Sequence, residues 1–386
     1  MKRRRRKVLL GWIAAVIVMV AGCNPMNQEQ TTADIPIGLL ATLSGESVSV
    51  GEATVQGAEI AVTALQAEGG IRVGGRNRSI RLVVVDDQDQ VDAVVNAARQ
   101  LIYQESVVAI IGPQFSRNAI PAAQLAEAAK IPLISPRATN PDVTKGKSYV
   151  FRTIFIDPFQ GEVMANFARQ DLGATTAGIL YDVASAYNQG IAEVFRGRFE
   201  AAGGQVVAFE GYTTGETDFT AYLTTIRESQ PDVLFLPNYE FEVPLQVKQA
   251  RELGLSSTLL GSDSWGSIVP ADRSLLEGAY FSDQFSPKTD SPKAQAFIKQ
   301  FQQTYDRLPT GVSASTYDAV MLVAQAIQQG EEATPEAIRE WLSKIDHFEG
   351  VTGTIEFRDT GDPIRSAVIL QIQGDELLFH KQVDPQ

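Results

Sequence analysis

From residue 35 onward, short runs of uninterrupted apolar residues alternate with longer stretches of helical periodicity. No other feature narrows the fold as much. Segments such as "RLVVVDD" (81–87) and "VVAIIGP" (107–113) are apolar at consecutive positions, so neither face of the strand they form can meet water. A strand tolerates that only inside a sheet covered on both sides, the usual condition of parallel βαβ units. Strands are expected at 35–41, 80–86, 107–112 and 131–135, with helices at 50–66, 91–104 and 118–129 between them. The pattern restarts after Arg152. Helices at 161–171, 189–202, 219–229 and 243–252 alternate with strands at 176–181, 206–209, 233–236 and 258–260. Two such units in succession predict two similar α/β lobes. The remainder carries a strand near 279–281, helices at 293–305, 313–328 and 335–342, and strands at 353–357 and 367–373. That is too little for a third domain, so these pieces complete the two lobes and the chain crosses between them more than once.

The first 22 residues belong to a different class. Lys2 to Lys7 is an unbroken basic run, followed by 15 mostly apolar residues and then Cys23, the only cysteine of the 386 residues. A basic start, a short apolar stretch and small residues before the cut describe a secretory signal. The apolar stretch is shorter than the roughly 20 residues a membrane span needs. "VAGC" at 20–23 is similar to the bacterial lipobox, which makes Cys23 the expected site of lipidation; residues 23–34 then form a tether. Losing the six cations of the leader takes the formal net charge from −13 to −19. So acidic a surface repels nucleic acid and anionic lipid. An exported protein anchored to a bacterial membrane, periplasmic or on the cell surface, is expected.

Catalytic signals are poor. The two histidines, His347 and His380, stand near the C-terminus beside no plausible nucleophile, and neither a nucleophile elbow nor a zinc-binding motif occurs. "KGKSY" (145–149) lacks the upstream glycine of a phosphate loop, and "GGIRVGGR" (69–76) precedes a strand, the wrong context for a dinucleotide loop. "DDQDQ" (86–90) lacks the spaced ligands of a calcium loop and reads as a strand end feeding a helix cap. No enzyme, metal or cofactor is expected.

The ends of the strands carry more. In open parallel sheets ligands sit beyond the carboxyl ends of the strands, where helix N-termini direct backbone N–H groups outward. "GPQFSRNAIP" puts Ser116 at or near a helix start; "ISPRATNP" puts Ala138 and Thr139 in a turn stiffened by Pro136 and Pro141; "GSDSWG" puts Asp263 in the other lobe. Ser116 and Thr139 suit a carboxylate, and Asp263 suits an ammonium. A cleft with donors on one wall and an acid on the other matches an α-amino acid. Each residue also has a purely structural alternative: Ser116 and Asp263 as helix caps, Thr139 and Asn140 as turn stabilisers.

Seven segments in order now resemble the Leu/Ile/Val-binding-protein branch of the type I periplasmic binding proteins, the receptors of ABC amino-acid importers. They are "LSGESVSVGEATVQGAEIAV" (43–62), "IGPQFSRNAIPAA" (111–123), "ISPRATNP" (134–141), "FRTIFIDPFQG" (151–161), "YDVASAYNQG" (181–190), "GETDFTAYL" (215–223) and "LLGSDSW" (259–265). The resemblance covers nearly all of 35–375. It implies an α/β fold of two Rossmann-like lobes, closing like a Venus flytrap, joined by a hinge of three crossings near 152–157, 282–285 and 357–362. Lobe 1 would hold 35–155 and 284–356, lobe 2 156–283 and 357–386. Ser116, the Ala138 carbonyl and Thr139 would hold the ligand's charged groups from the first lobe. Tyr187, Tyr239 and Asp263 would close from the second, and Val50 would touch the ligand side chain. An ABC permease is the implied partner and a monomer the expected state. The ligand implied is an α-amino acid, of the branched-chain or neutral type. The same fold could instead hold an amide, urea or small organic acid, or serve a signalling receptor as a ligand sensor. Three positions depart from the pattern: Asn188 replaces a glycine and would tolerate a positive φ, Arg137 stands where the family tends to have a small residue, and Arg117 follows the carboxylate-binding serine, where a small polar residue would be less demanding. The two arginines either read a second carboxylate, as on Glu or Asp, or lie on the lobe surface paired with acids.

Overall fold

The computed structural model describes residues 34–357 and 360–385. The signal segment, Cys23 and nearly all of the tether lie outside the described residues. Two twisted sheets organise the chain. The first has five parallel strands in the order Ile80–Asp86, Ile35–Ala41, Ala109–Ile111, Leu133–Ser135 and Val150–Arg152. The second has seven. Gln205–Tyr212, Thr176–Asp182, Val233–Leu236, Thr258–Gly261 and Tyr280–Asp283 run parallel, and Ala367–Gln373 and Glu376–Val383 close the far edge antiparallel. The α/β architecture of two lobes is therefore the one that the continuous apolar runs required.

The segment after Phe285 returns to the first sheet. Phe297, Phe301, Tyr317 and Val320 pack in one buried cluster with Ile35, Ile37 and Leu39. The second sheet has its own core of Leu234, Leu259, Phe281 and Leu370 around the fully buried Trp265, whose indole N–H donates to the Leu236 carbonyl at 3.1 Å. The chain passes between the sheets after Arg152, after Asp283 and again between Phe357 and Ala367.

Apolar periodicity located most helices, those at Val91, Val243 and Pro335 to their first residue, but it missed the first turn of three. The helices expected from 118, 189 and 161 begin at Ser116, Ala186 and Asp157. Their opening residues are mostly polar, small or proline, and the lone aromatics Phe159 and Tyr187 do not extend an apolar stripe. "GGIRVGGR" becomes a two-residue hairpin between Ile71–Val73 and Arg76–Arg78. Gly74 and Gly75 sit there at φ +55° and +79°, the doubly left-handed turn that matches the twist of its strands. The edge strand Glu376–Val383 went unread because its half-exposed, mixed sequence lacks a clean alternation. The acids of 86–90 do not cap the next helix, which starts at Val91 without a side-chain cap. Asp86 instead accepts from the Leu43 and Gln88 amides, and Asp87 from Thr42.

Helices Val48–Ala67 and Gly311–Gly330 cross in the first lobe where Gly57 meets the backbone. A Cβ added at Gly57 would stand 2.2 Å from the Ser313 carbonyl oxygen. Glycine to alanine inside a helix ordinarily gains up to about 1 kcal/mol. Here overpacking dominates, and Gly57→Ala is expected to lower stability by about 1–3 kcal/mol, read as a lower urea midpoint. An unchanged or higher midpoint would refute the close approach.

Candidate functional site

All the site residues foreseen from the strand ends emerge from the carboxyl side of the two sheets. In the first, the order of strands reverses between Ile35–Ala41 and Ala109–Ile111; in the second, between Thr176–Asp182 and Val233–Leu236. The loops at such switch points splay apart and leave a crevice. Two of these loops supply Ser116 and Tyr239, and the neighbouring ones supply Arg137 to Asn140, Tyr187 and Asp263. Gln114, Ser116, Arg137, Tyr187, Tyr239 and Asp263 together line a narrow space of about 10 Å³ between the lobes. A larger cavity, which includes Ser49, Ile268 and Leu308 in its lining, contains none of these six.

The wall from the first lobe is rigid. Ser135 Oγ donates to the Pro113 carbonyl at 2.9 Å and accepts the Ala138 amide at 3.2 Å. Behind the loop, the fully buried Arg152 donates to the Ala138 carbonyl at 2.7 Å, to the Asn140 carbonyl at 2.9 Å and to Thr144 Oγ1 at 2.9 Å. The Ala138 carbonyl, expected to face the ligand, thus points into its own lobe toward Arg152. Ser116 is the first residue of the helix Ser116–Ala129; its hydroxyl caps nothing and accepts the Asn140 amide at 3.3 Å. Thr139 is completely buried, and its hydroxyl lies beside the Asp157 carboxyl. A serine at a helix N-terminus beside a buried threonine hydroxyl is an arrangement that can accept an anion.

The facing wall is acidic and aromatic. The Tyr187 hydroxyl donates to Asp263 Oδ1 at 2.7 Å and lies 2.9 Å from Ser262 Oγ. Tyr187 and Tyr239 stack at 4.9 Å, and Tyr239 meets the edge of Phe115 from the other lobe at 5.2 Å. Val50, fully buried, belongs to the apolar cluster that includes Phe115, Tyr187 and Tyr239. Asp263 begins a short 3₁₀ turn that it does not cap; its backbone amide bonds Gln160 Oε1 at 3.3 Å. Burial pushes the Asp263 carboxyl up from its ordinary value, and Arg137 draws it back down.

The two arginines pair with acids, Arg137 buried in the cleft and Arg117 with a third of its side chain exposed. Arg137 is 4% exposed and donates across the cleft to Glu240 Oε2 at 2.8 Å, with its guanidinium 4.8 Å above the Phe115 ring. Burial opposes its charge, but Glu240 and then Asp263 hold its pKa above the usual value. Arg117 pairs with Asp89 and lies 4.7 Å from the Tyr239 ring. Asn188 is buried within the helix Ala186–Ala201 and donates to Asn238 Oδ1 at 2.9 Å, so its tolerance of positive φ is not used.

Four contributors escaped the sequence reading: Gln114, Arg152, Asp157 and Glu240. Gln114 and Glu240 adjoin residues of the expected site in sequence, and that adjacency was the only signal. Asp157 follows the first crossing, and its amide donates to the Thr139 carbonyl at 3.0 Å. Burial, together with the charge of Asp263, pushes its carboxyl up to about 7. An acid whose folded pKa exceeds the unfolded 3.8 stabilises the fold most at low pH and loses that contribution as pH rises through the folded value. Stability due to Asp157 should therefore decline between about pH 4 and pH 7, by up to about 1.4 kcal/mol per pH unit. Urea midpoints of Asp157→Asn should fall less steeply than the parent's over that window. Parallel curves would contradict the shift.

The family model described as periplasmic binding protein matches residues 34–376. The leucine-, isoleucine-, valine-, threonine- and alanine-binding protein of Pseudomonas aeruginosa is 28% identical over 332 residues, 85% of this chain and 87% of that one. Among solved structures, the leucine-binding protein LivK of Thermotoga maritima superposes with a TM-score of 0.84 at 31% identity, covering 91% of this chain and 99% of that one. The branched-chain amino-acid transporter substrate-binding protein LivJ of Streptococcus pneumoniae, in complex with isoleucine, does so at 0.85 and 32%, covering 92% and 100%. A family model spanning nearly every described residue, and two lobes whose strand ends converge on one crevice, lead to the same conclusion: the chain belongs to the periplasmic binding protein family.

Proposed function

We propose that this protein captures neutral α-amino acids in the cleft between its lobes and delivers them to an ABC importer, anchored to the membrane through a lipid on Cys23. The observation that carries the reading is the opposition of two walls. Asp263 with Tyr187 stands on one side; Ser116 at its helix N-terminus, with the buried Thr139 hydroxyl, stands on the other. An ammonium and a carboxylate on one carbon satisfy both walls together, whereas an acid without an amine would set its charge against Asp263. Relatives whose names specify leucine, isoleucine, valine, threonine and alanine support the same ligand class. Closure of the lobes over the ligand would give the permease a form to recognise. Isothermal titration of the purified protein with free amino acids is the test. Reversible binding of amino acids, with no chemical change in the recovered ligand, is expected. Binding of benzoate or acetamide with none of amino acids would overturn the reading.

A further inference from the structure

We infer that the side chain of the captured amino acid is neutral and polar, and that a carboxamide, as in glutamine or asparagine, fits it. The inference rests on the amino-acid reading above and narrows its ligand. Gln114 and Arg137 both line the enclosed space. Gln114 is 1% exposed, yet neither its amide nitrogen nor its amide oxygen has a partner. Arg137 spends Nη2 on Glu240, while its buried Nη1 has none. Two donors and one acceptor therefore stand unmatched where the ligand side chain must go. A leucine or isoleucine side chain would bury all three against hydrocarbon, with a penalty of about 1–3 kcal/mol for each polar group left unpaired.

Charge then separates the polar candidates. Glu240 already balances Arg137, and its own Oε1 is buried without a partner. A carboxylate side chain would gain Arg137 but meet Glu240 and Asp263 at close range. A carboxamide carries no charge. Its oxygen can accept from Arg137 Nη1 or Gln114 Nε2, and its NH₂ can donate to Gln114 Oε1.

Titration calorimetry of the full chain in detergent, with glutamine, asparagine, leucine, isoleucine, valine, glutamate and benzoate, tests this. Glutamine or asparagine is expected to bind at least about 100-fold more tightly than leucine, as a site built to hydrogen-bond its ligand discriminates. Tightest binding of a branched-chain amino acid or of glutamate would overturn the inference while leaving the amino-acid reading intact. Binding of benzoate alone would overturn both. In Gln114→Met, close to the parent in volume, the preference for glutamine over leucine should fall at least tenfold. An unchanged ratio in a variant that melts like the parent would also count against the carboxamide.

Discussion

Asp263→Ala is expected to weaken amino-acid binding by about 2–5 kcal/mol, between roughly 30-fold and several thousand-fold in Kd. Three features set that size. Asp263 is 6% exposed, so water cannot replace it as a partner for a bound ammonium. Tyr187 orients its carboxylate at 2.7 Å, so little rotamer freedom is left to lose on binding. Its pKa is already raised by burial, which means that the anion is held at a disadvantage until a cation arrives. The substitution should therefore lower affinity far more than stability. Asp263→Asn keeps an acceptor for Tyr187 but loses the charge, and should recover only a small part of the loss. Calorimetry on both variants is decisive, and amino-acid affinity unchanged in Asp263→Ala would remove the zwitterion argument altogether.

The same residue shows what the sequence could reveal. Asp263, Ser116 and Thr139 were readable because each follows a continuous apolar strand, and position after a strand determines which end of the sheet a residue occupies. Helix and strand existence followed from the same runs. Pairing across the cleft was not readable. Arg137 and Glu240 are 103 residues apart and meet only because two separately wound lobes face each other. Arg137 in isolation offered either a surface residue or a charge reader, and the partner that resolves it to a buried ion pair lies beside Tyr239 in another lobe. Gln114 was invisible for a related reason: an amide is significant only when its surroundings are dry and unpaired, and burial of a single loop residue has no periodic signature. The turn expected to present the Ala138 carbonyl to the ligand had a similar gap. Its stiffness was foreseen from two prolines, but the residue that orients its carbonyls is Arg152, at the end of a strand that the apolar pattern did not mark.

Arg152 consequently carries the second large effect. Its guanidinium is completely buried and binds the carbonyls of Ala138 and Asn140, the Thr144 hydroxyl and, at 2.7 Å, the Asp362 carboxylate. Burial pulls its pKa down, yet Asp362 and Asp157 keep the cation in place. Arg152→Met fills most of the volume but leaves the Ala138 carbonyl without a donor, and the Asn140 carbonyl and Asp362 with only the Val143 amide and the Thr144 hydroxyl. Breaking a buried pair from one side destabilises by about 3–5 kcal/mol. Asp362 is 26% exposed and can turn to water, which puts the expectation at the lower end of that range. Affinity should fall as well, because the carbonyls that fix Thr139 and Asn140 are released and the loop must be reordered at each binding event. The two variants are thus distinguishable by one pair of measurements. Asp263→Ala should lose affinity with little change in the urea midpoint, while Arg152→Met should lose both. Saturating amino acid should restore part of the lost midpoint in Arg152→Met, since ligand stabilises the folded state in proportion to RT ln(1 + [L]/Kd). A midpoint within about 1 kcal/mol of the parent in Arg152→Met would mean that the loop holds itself, through Ser135 and its two prolines, without the arginine behind it.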